Sequence, residues 1–241
     1  MLIYNFMLIH GDCLDELSKI EKGSIDLILI DPPYFISRES NFKKHSENTS
    51  KELVTKYNMS IDFGEWDKGE LNWDDLFNQF NRILRKGGTL IIFYDIWKST
   101  EIKESAENYK FKQPRVCCWT KTNPVPINSG TNYLSNANEY FFSFVKGGKP
   151  TFNSKYDNGN YSYPICHGKE RYNHPTQKPL QLIKDLVEKH SNPGDKVLDC
   201  FAGTGTTGHA CLLLDREFVL IEKDEKYFEI IEERLNKQEI K

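Results

Sequence analysis

A glycine-rich turn reads Asp199-Cys200-Phe201-Ala202-Gly203-Thr204-Gly205-Thr206-Thr207-Gly208 and lies between a strand pattern and a helix pattern. Its last six residues spell G-x-G-x-x-G. Glycines at this spacing let the backbone turn sharply and approach a ligand, with helix amides directed at it. Glu222 ends the next predicted strand, where a carboxylate can accept hydrogen bonds from both hydroxyls of a ribose. The pattern predicts a site for a nucleoside-containing cofactor and leaves NAD and S-adenosylmethionine open.

The rest of the chain surrounds this turn with alternating strand and helix patterns. Residues 25–30 form a nearly continuous apolar run, which is typical of a central parallel strand buried on both faces. The alternation predicts an α/β fold with a mainly parallel, covered sheet. We predict further strands at 7–10, 89–94, 115–119, 139–145, 196–199 and 218–221, and helices at 13–20, 73–84, 179–190, 206–214 and after the last strand. Gly87-Gly88 is predicted to end the 73–84 helix, and residues 98–175 to form an insertion or a second lobe.

The tetrapeptide Asp31-Pro32-Pro33-Tyr34 directly follows the central strand, at the end where open α/β sheets place their ligands. An amino group conjugated to an aromatic base is a poor nucleophile, because its lone pair is delocalised into the ring. A carboxylate and a carbonyl that accept its two N–H bonds would favour a localised lone pair. Tyr34 offers a face on which a base can stack after leaving a duplex. The tetrapeptide therefore favours methyl transfer to an amino group over NAD chemistry.

Composition excludes several classes of protein. The hydrophobic fraction of the 241 residues is 38% and the charged fraction 28%, which is enough apolar sequence for a core. No apolar run approaches the roughly 18–20 residues that span a bilayer, and residues 1–6 lack the features of a secretory signal. The six cysteines contain no C-x-x-C pair, so we expect free thiols and no metal site. These features predict a soluble, cytoplasmic protein without a membrane partner.

Charge is unevenly distributed along the chain. The net charge is −3, yet residues 98–178 carry 12 basic and 6 acidic residues. A basic segment in an acidic chain is typical of a phosphate-facing surface, and a solvated face without function fits the charge equally well. Residues 35–70 are polar and without clear periodicity, so we predict a long mobile loop after the tetrapeptide.

With these residues identified, the chain resembles the amino-group DNA methyltransferases that use S-adenosylmethionine. The hallmarks of that family are [D/N/S]-P-P-[Y/F/W], here residues 31–34, and D-x-F-x-G-x-G, here residues 199–205. Three further segments are similar to the family, namely RKGGTL at 85–90, WTKTNP at 119–124 and HPTQKP at 174–179. The tetrapeptide precedes the glycine motif, as in the β subgroup.

The resemblance implies a Rossmann-like S-adenosylmethionine-dependent methyltransferase fold. It implies one domain over 1–241, with the mobile loop at 35–70 and a target-recognition insertion at about 120–173. The implied catalytic residues are Asp31, Pro32, Pro33 and Tyr34, of which Asp31 and the Pro32 carbonyl hold the target amine. The implied cofactor contacts are Asp12, Asp31, His174, Thr176, Lys178, Asp199, Phe201, Ala202, Gly203, Gly205, Thr206, Thr207 and Glu222. Candidate DNA contacts in the basic middle are Lys121, Asn123, Lys146, Lys149, Lys155, Lys169 and Arg171.

The activity that the resemblance favours is site-specific methylation of adenine N6 in double-stranded DNA. Within the family, aspartate in the first position of the tetrapeptide goes mainly with adenine, and an N4-cytosine methyltransferase is the alternative. A nicotinamide-dependent oxidoreductase is a remote alternative, because such folds begin with G-x-G-x-x-G and have no use for residues 31–34. The resemblance also leaves a homodimer and a cognate restriction endonuclease open as partners.

Overall fold

The computed structural model describes residues 6–34, 71–124, 136–172, 174 and 176–236. The chain divides into two compact units, Met1–Pro32 with Asn72–Lys241, and Pro33–Leu71. All helices and strands described below belong to the first unit. In the second unit only Pro33, Tyr34 and Leu71 are described, so the loop predicted at 35–70 lies outside the described residues.

An eight-stranded sheet forms the centre of the first unit. Its strands are β1 (Phe6–His10), β2 (Ile25–Ile30), β3 (Leu84–Phe93), β4 (Lys112–Lys121), β5 (Asn138–Val145), β6 (Asn160–Tyr163), β7 (Lys196–Asp199) and β8 (Glu217–Glu222). They are hydrogen-bonded in the order β1-β8-β7-β2-β3-β5-β4-β6. Only the pairs that include β5 are antiparallel, so the other seven strands share one direction. The predicted α/β class with a mainly parallel sheet is confirmed.

Helices cover this sheet, and their apolar faces explain where they pack. They are α1 (Cys13–Leu17), α2 (Trp73–Ile83), α3 (Ser99–Asn108), α4 (Leu180–His190), α5 (Thr206–Leu213) and α6 (Glu225–Asn236). The side chain of Asn72 caps α2 by accepting from the Asp75 amide at 3.1 Å. Phe77 of α2 is fully buried and meets the ring of Phe144 on β5 edge-to-face at 6.4 Å. Among the described residues, no helix is long and apolar enough to cross a bilayer.

Residues 98–175, predicted as an insertion or a second lobe, contribute β4, β5 and β6 to the same sheet. The strands near 115–119 and 139–145 were predicted, whereas α3 and β6 were not. β6 is only four residues long, too short for its alternation to be distinguished from a loop. A target-recognition role for 120–173 stays a prediction, and residues 125–135 within it lie outside the described residues.

Gly87 and Gly88 do not end a helix, contrary to the sequence-based expectation. Helix α2 ends at Ile83 and β3 begins with the next residue, so both glycines lie inside the strand. Gly87 has φ +79°, and a Cβ there would lie 2.5 Å from the Lys149 carbonyl oxygen. Between its pairs with β2 at Leu84 and Thr89, β3 forms a bulge, and glycine is needed where this bulge passes the Lys149 carbonyl after β5.

We expect Gly87→Ala to lower the free energy of unfolding by about 2–4 kcal/mol, from a left-handed backbone together with a backbone clash. Gly147→Ala is the matched control, because Gly147 has φ +51° and no atom within 4 Å of the added Cβ. The control should lose only about 1 kcal/mol. Urea denaturation measures both values, and equal losses would show that the approach to Lys149 is unimportant.

Candidate active site

The carboxyl ends of the seven co-directional strands meet at one edge of the sheet, and this edge collects acidic residues. Asp31 follows β2, Asp199 ends β7, Glu222 ends β8 and Asp12 follows β1 shortly after its end. Glu139, the second residue of the antiparallel β5, reaches the same edge. The strand order also reverses here, because the chain continues from β2 to β3 on one side and from β7 to β8 on the other. Such a switch point is where open α/β sheets bind ligands.

Each glycine of the turn between β7 and α5 has its own structural reason. Gly203 and Gly205 have φ values of +53° and +74°, in the left-handed region that side chains disfavour. A Cβ on Gly208 would lie 2.7 Å from a methyl carbon of Leu220, so this glycine allows α5 to pack closely on β8. The amide of Gly203 donates to Glu222 Oε2 at 2.6 Å, which ties the turn to the end of the neighbouring strand.

Asp199 lies buried beneath this turn and supports it. Its Oδ1 accepts from the Phe201 amide at 3.1 Å, and its Oδ2 accepts from Thr207 Oγ1 at 2.6 Å. Burial raises the pKa of Asp199 to about 7, against the effect of these two hydrogen bonds. The negative charges of Asp31 and Glu222 contribute to the rise. The carboxyl groups of the three strands are therefore close enough to affect one another.

A buried arginine that sequence analysis missed holds the other side of the turn. Arg234 of α6 donates to the Thr204 carbonyl at 2.8 Å and lies 3.3 Å from Thr206 Oγ1. Ala202 is buried, and its amide donates to the Ile221 carbonyl at 3.1 Å. The only signal for Arg234 in the sequence is that a charged residue interrupts the apolar face of the last helix.

Glu222 already binds the main chain with both of its oxygens. Oε2 accepts from Gly203 and Oε1 accepts from the Asp224 amide at 2.8 Å. Burial raises the pKa of Glu222, although these amides oppose the rise. A carboxylate has about four acceptor positions, so a ribose would use the remaining ones.

Asp12 is brought beside Glu222 because β1 pairs with β8. The amide of Gly11 donates to the Glu222 carbonyl at 3.0 Å. Asp12 caps α1 through the Leu14 amide at 3.0 Å, and its Oδ2 lies 3.0 Å from Lys223 Nζ. Burial alone would raise the pKa of Asp12, but the Lys223 ammonium lowers it.

The segment before α4 places His174 against the glycine turn. A Cβ on Gly203 would lie 3.5 Å from His174 Nε2, and the ring of Tyr227 lies 4.6 Å from the imidazole. Thr176 is exposed, and its amide donates to His174 Nδ1 at 3.3 Å. Burial lowers the pKa of His174 to about 4, with the Lys178 charge adding to the effect, so the imidazole is neutral at pH 7.

The ammonium of Lys178, a residue that the family resemblance assigns to the cofactor, contacts Asp31 of the tetrapeptide. Its Nζ lies 2.5 Å from Asp31 Oδ2 and 3.2 Å from Glu139 Oε2. Glu139 Oε1 in turn lies 2.8 Å from Lys121 Nζ. The result is a row of alternating charges, Asp31–Lys178–Glu139–Lys121, which we call the charge row.

The charge row keeps Lys178 and Glu139 ionised. Burial alone would lower the pKa of Lys178, but Asp31 and Glu139 raise it above its ordinary value. Burial would likewise raise the pKa of Glu139, but Lys178 and Lys121 bring it below its ordinary value. Glu139 is not among the residues predicted from the sequence, where its only signal is an acidic residue at the start of an otherwise apolar strand.

The tetrapeptide is divided between the two units of the chain. Asp31 and Pro32 belong to the first unit, whereas Pro33 and Tyr34 belong to the second. The roles assigned to all four residues of the tetrapeptide stay predictions.

Comparison with known proteins identifies the family. The family model for DNA methylases of the N6/N4 type matches residues 25–233. The type II methyltransferase M.HinfI of Haemophilus influenzae is 33% identical over 246 residues, covering 95% of this chain and 67% of that protein. M2.MboI of Moraxella bovis is 30% identical, covering 95% of this chain and 87% of that protein. This chain belongs to the DNA methylase family.

Solved structures agree with this assignment. The crystal structure of the M1.HpyAVI–SAM complex has a TM-score of 0.71 and 27% identity, covering 96% of this methylase and 99% of that chain. The PvuII DNA methyltransferase, described as cytosine-N4-specific, has a TM-score of 0.72 at 17% identity, covering 95% and 86%. At that identity the likeness to PvuII shows the fold alone. The predicted family and methyltransferase fold are confirmed.

Four of the predicted DNA contacts of this methylase lie towards the carboxyl edge. Lys121 ends β4, and Asn123 Oδ1 accepts from the Ile165 amide at 2.7 Å. Lys169 and Arg171 are exposed, and they flank Glu170, whose carboxylate accepts from the first amide of α4 at 2.7 Å.

The other three predicted DNA contacts lie away from the candidate site. Lys146 follows β5 at the opposite edge of the sheet, where its Nζ donates to the Leu84 carbonyl at 2.7 Å. Lys149 lies beside Gly87 at that same edge. Lys155 is in the loop in which the Asn153 amide donates to the Lys189 carbonyl at 2.8 Å, near the end of α4. The antiparallel direction of β5 separates the two groups, and the DNA contacts assigned to all seven residues stay predictions.

Proposed function

We propose that this methylase transfers a methyl group from S-adenosylmethionine to the N6 amino group of adenine at a specific site in double-stranded DNA. The observation that carries the proposal is the position of Asp31 after β2, at the same edge as the glycine turn and Glu222. Two adjacent strands, β2 and β7, thus supply an acceptor for an amine and a turn for a nucleoside. M1.HpyAVI, which is similar over nearly the whole chain, was solved with SAM bound.

S-adenosylmethionine fits the residues at the glycine turn. Gly203 and Gly205 carry no Cβ and leave the main chain accessible, while Glu222 and Asp12 supply acceptors at the ends of the next two strands. The neutral imidazole of His174 adds no positive charge beside the turn. When bound, the cofactor supplies a methyl group on a positively charged sulfur.

Asp31 and Pro32 act on the target amine. The Asp31 carboxylate accepts one N–H and the Pro32 carbonyl accepts the other, which favours a lone pair localised on nitrogen. Lys178 stays bound to Asp31 Oδ2, because a carboxylate offers about four acceptor positions. The negative charge of Asp31 also stabilises the positive charge that develops on the nitrogen. We assign Tyr34, from the family resemblance, to stacking on the base that leaves the duplex.

Adenine is favoured over cytosine by the aspartate in the first position of the tetrapeptide. The similarity to PvuII shows that the fold does not distinguish the two bases.

M.HinfI and M2.MboI are type II methyltransferases by name, which supports a cognate restriction endonuclease as a partner of this methylase. A homodimer and a cytoplasmic location complete the proposal.

We expect Asp31→Ala to lower the rate of methyl transfer by about 10²–10³-fold, because a transition-state group is lost. Cofactor affinity should change little, and Lys178 keeps Glu139 as a partner, so the fold should survive. Transfer of a labelled methyl group to plasmid DNA, followed by nucleoside analysis, measures the rate and identifies the base. A variant with wild-type turnover contradicts the role of Asp31, and N4-methylcytosine as the product contradicts the choice of adenine.

We expect Glu222→Ala to weaken S-adenosylmethionine binding by about 1.5–3 kcal/mol, the scale of hydrogen bonds to a charged group. Glu217→Ala is the matched control, because Glu217 begins the same strand and pairs with Lys196 at the opposite edge of the sheet. Titration calorimetry with S-adenosylmethionine measures both. Equal affinities for the two variants would remove Glu222 from the cofactor site.

The two groups of basic residues should differ in DNA binding. Replacing Lys169 and Arg171 by glutamine should weaken binding and flatten its log–log salt dependence by nearly one unit per lost phosphate contact. The same change at Lys149 and Lys155 removes as much charge from exposed positions away from the site and should leave the slope unchanged. Fluorescence anisotropy over a salt series measures the slopes. A flatter slope only in the Lys149/Lys155 variant would place the DNA at the opposite edge.

A further inference from the structure

The charge row joins four separate parts of the first unit at the carboxyl edge. Asp31 follows β2, Glu139 lies on β5, Lys121 ends β4, and Lys178 lies just before α4. We infer that Glu139 is a positioning residue for methyl transfer, which holds the ammonium of Lys178 in place so that Lys178 fixes the carboxylate of Asp31. The inference rests on the proposed function, because it assigns a task to the group that orients the proposed catalytic carboxylate.

The geometry leaves the Lys178 ammonium little freedom. The side chain of Lys178 is 4% exposed, so water can replace few of its contacts. Carboxylate oxygens of Asp31 and Glu139 lie 2.5 and 3.2 Å from Nζ, and the Phe93 ring centroid lies 5.2 Å from it. Removing Glu139 would leave Asp31 as the one carboxylate within ion-pair distance in the described part of the chain.

Glu139 is itself held by more than Lys178. Its Oε1 lies 2.8 Å from Lys121 Nζ, and its side chain is 21% exposed. A carboxylate that binds one cation on each oxygen has little freedom to rotate. The arrangement follows the general logic in which a reacting group is oriented by a second group, which is oriented by a third. Here the order is Asp31, Lys178 and Glu139.

A buried ion pair by itself is a weak source of stability, so packing gives little reason to place Glu139 there. An apolar residue at this position would fill space without the desolvation penalty. In the charge row, Lys178 lies between Glu139 and the proposed catalytic carboxylate of Asp31. This position points to a role for Glu139 in orienting Lys178 and keeping it protonated.

The test compares Glu139→Gln with wild-type enzyme in the full chain, using labelled methyl transfer to plasmid DNA. We expect kcat to fall about tenfold or more, with KM for DNA and the Kd for S-adenosylmethionine within about twofold of wild type. Glu217→Gln is the matched control, because it neutralises a glutamate that pairs with Lys196 at the opposite edge. A Glu139→Gln variant with kcat within about twofold of wild type overturns the inference.

The pH profile of kcat separates positioning from a merely structural role. Burial lowers the pKa of Lys178, and the negative charge of Glu139 opposes this effect, so the pKa of Lys178 falls when that charge is removed. The alkaline limb of the kcat profile, where Lys178 loses its proton, should therefore move to lower pH by about one unit or more. Glu139→Asp keeps the negative charge and should place kcat and the alkaline limb between wild type and Glu139→Gln. Among the described residues, the other titratable groups coupled to Lys178 or Asp31 are Cys166, His174 and Asp199, and these variants leave them unchanged. They also leave Lys121 unchanged, which pairs with Glu139 itself.

The outcomes remain separable if a variant is unstable or the proposed function fails. If Glu139→Gln does not fold, Glu139→Asp decides: an alkaline limb displaced to lower pH supports the inference, and a limb at the wild-type position overturns it. Wild type and Asp31→Ala are assayed in parallel. No transfer by wild type overturns the proposed function, whereas an active wild type, an inactive Asp31→Ala and an unaffected Glu139→Gln overturn this inference alone.

Discussion

The ion pair between the buried Lys178 ammonium and Asp31 is the contact on which the candidate site depends most. Parallel strands end together, so the apolar runs of β2, β7 and β8 bring their terminal carboxyl groups to one edge. Leaving such a group buried and charged without a partner costs several kcal/mol. Lys178 offsets this cost for Asp31 and Glu139. Asp199, which has no lysine partner among the ion pairs of the described residues, instead has a pKa of about 7.

The glycine turn is held in its shape from two sides. Glu222 accepts the Gly203 amide from the neighbouring strand, and Arg234 donates to the Thr204 carbonyl from the last helix. Both contacts bind main-chain groups of the turn, so they order it without using its side chains. A preformed turn lowers the ordering cost of binding a nucleoside.

The direction of β5 places acidic and basic residues of one segment at opposite edges of the sheet. As the one antiparallel strand in the described part of the sheet, it begins at the carboxyl edge, where Glu139 is its second residue, and ends at the opposite edge next to Lys146. The start of the strand thus adds a carboxylate to the candidate site, while the basic residues after it are carried away. Net charge along a segment therefore does not describe a surface when the segment crosses the sheet.

Much of the fold and part of the site could be read from local patterns. The apolar run of β2, the glycine spacing at 203–208 and the carboxylate after β8 are each defined within a few neighbouring residues, because strand burial and tight turns constrain adjacent positions. These patterns placed Asp31, Asp199 and Glu222 at strand ends, and the sheet confirms that they share an edge. The family resemblance rested on the same segments.

The sequence by itself determined seven of the eight described strands in outline, the turn and the acidic strand ends, because each depends on residues close together in the chain. Only the tertiary structure decided which cation each carboxylate meets. Lys178 and Asp31 are 147 residues apart, and Arg234 and Thr204 are 30 residues apart. No helical or strand pattern within a short window of sequence therefore predicts either pairing. The close approach of Gly87 to Lys149 and the separation of Lys146 from the candidate site likewise depend on the order and direction of strands. Those are set by the packing of the whole sheet, which a short window of sequence does not contain.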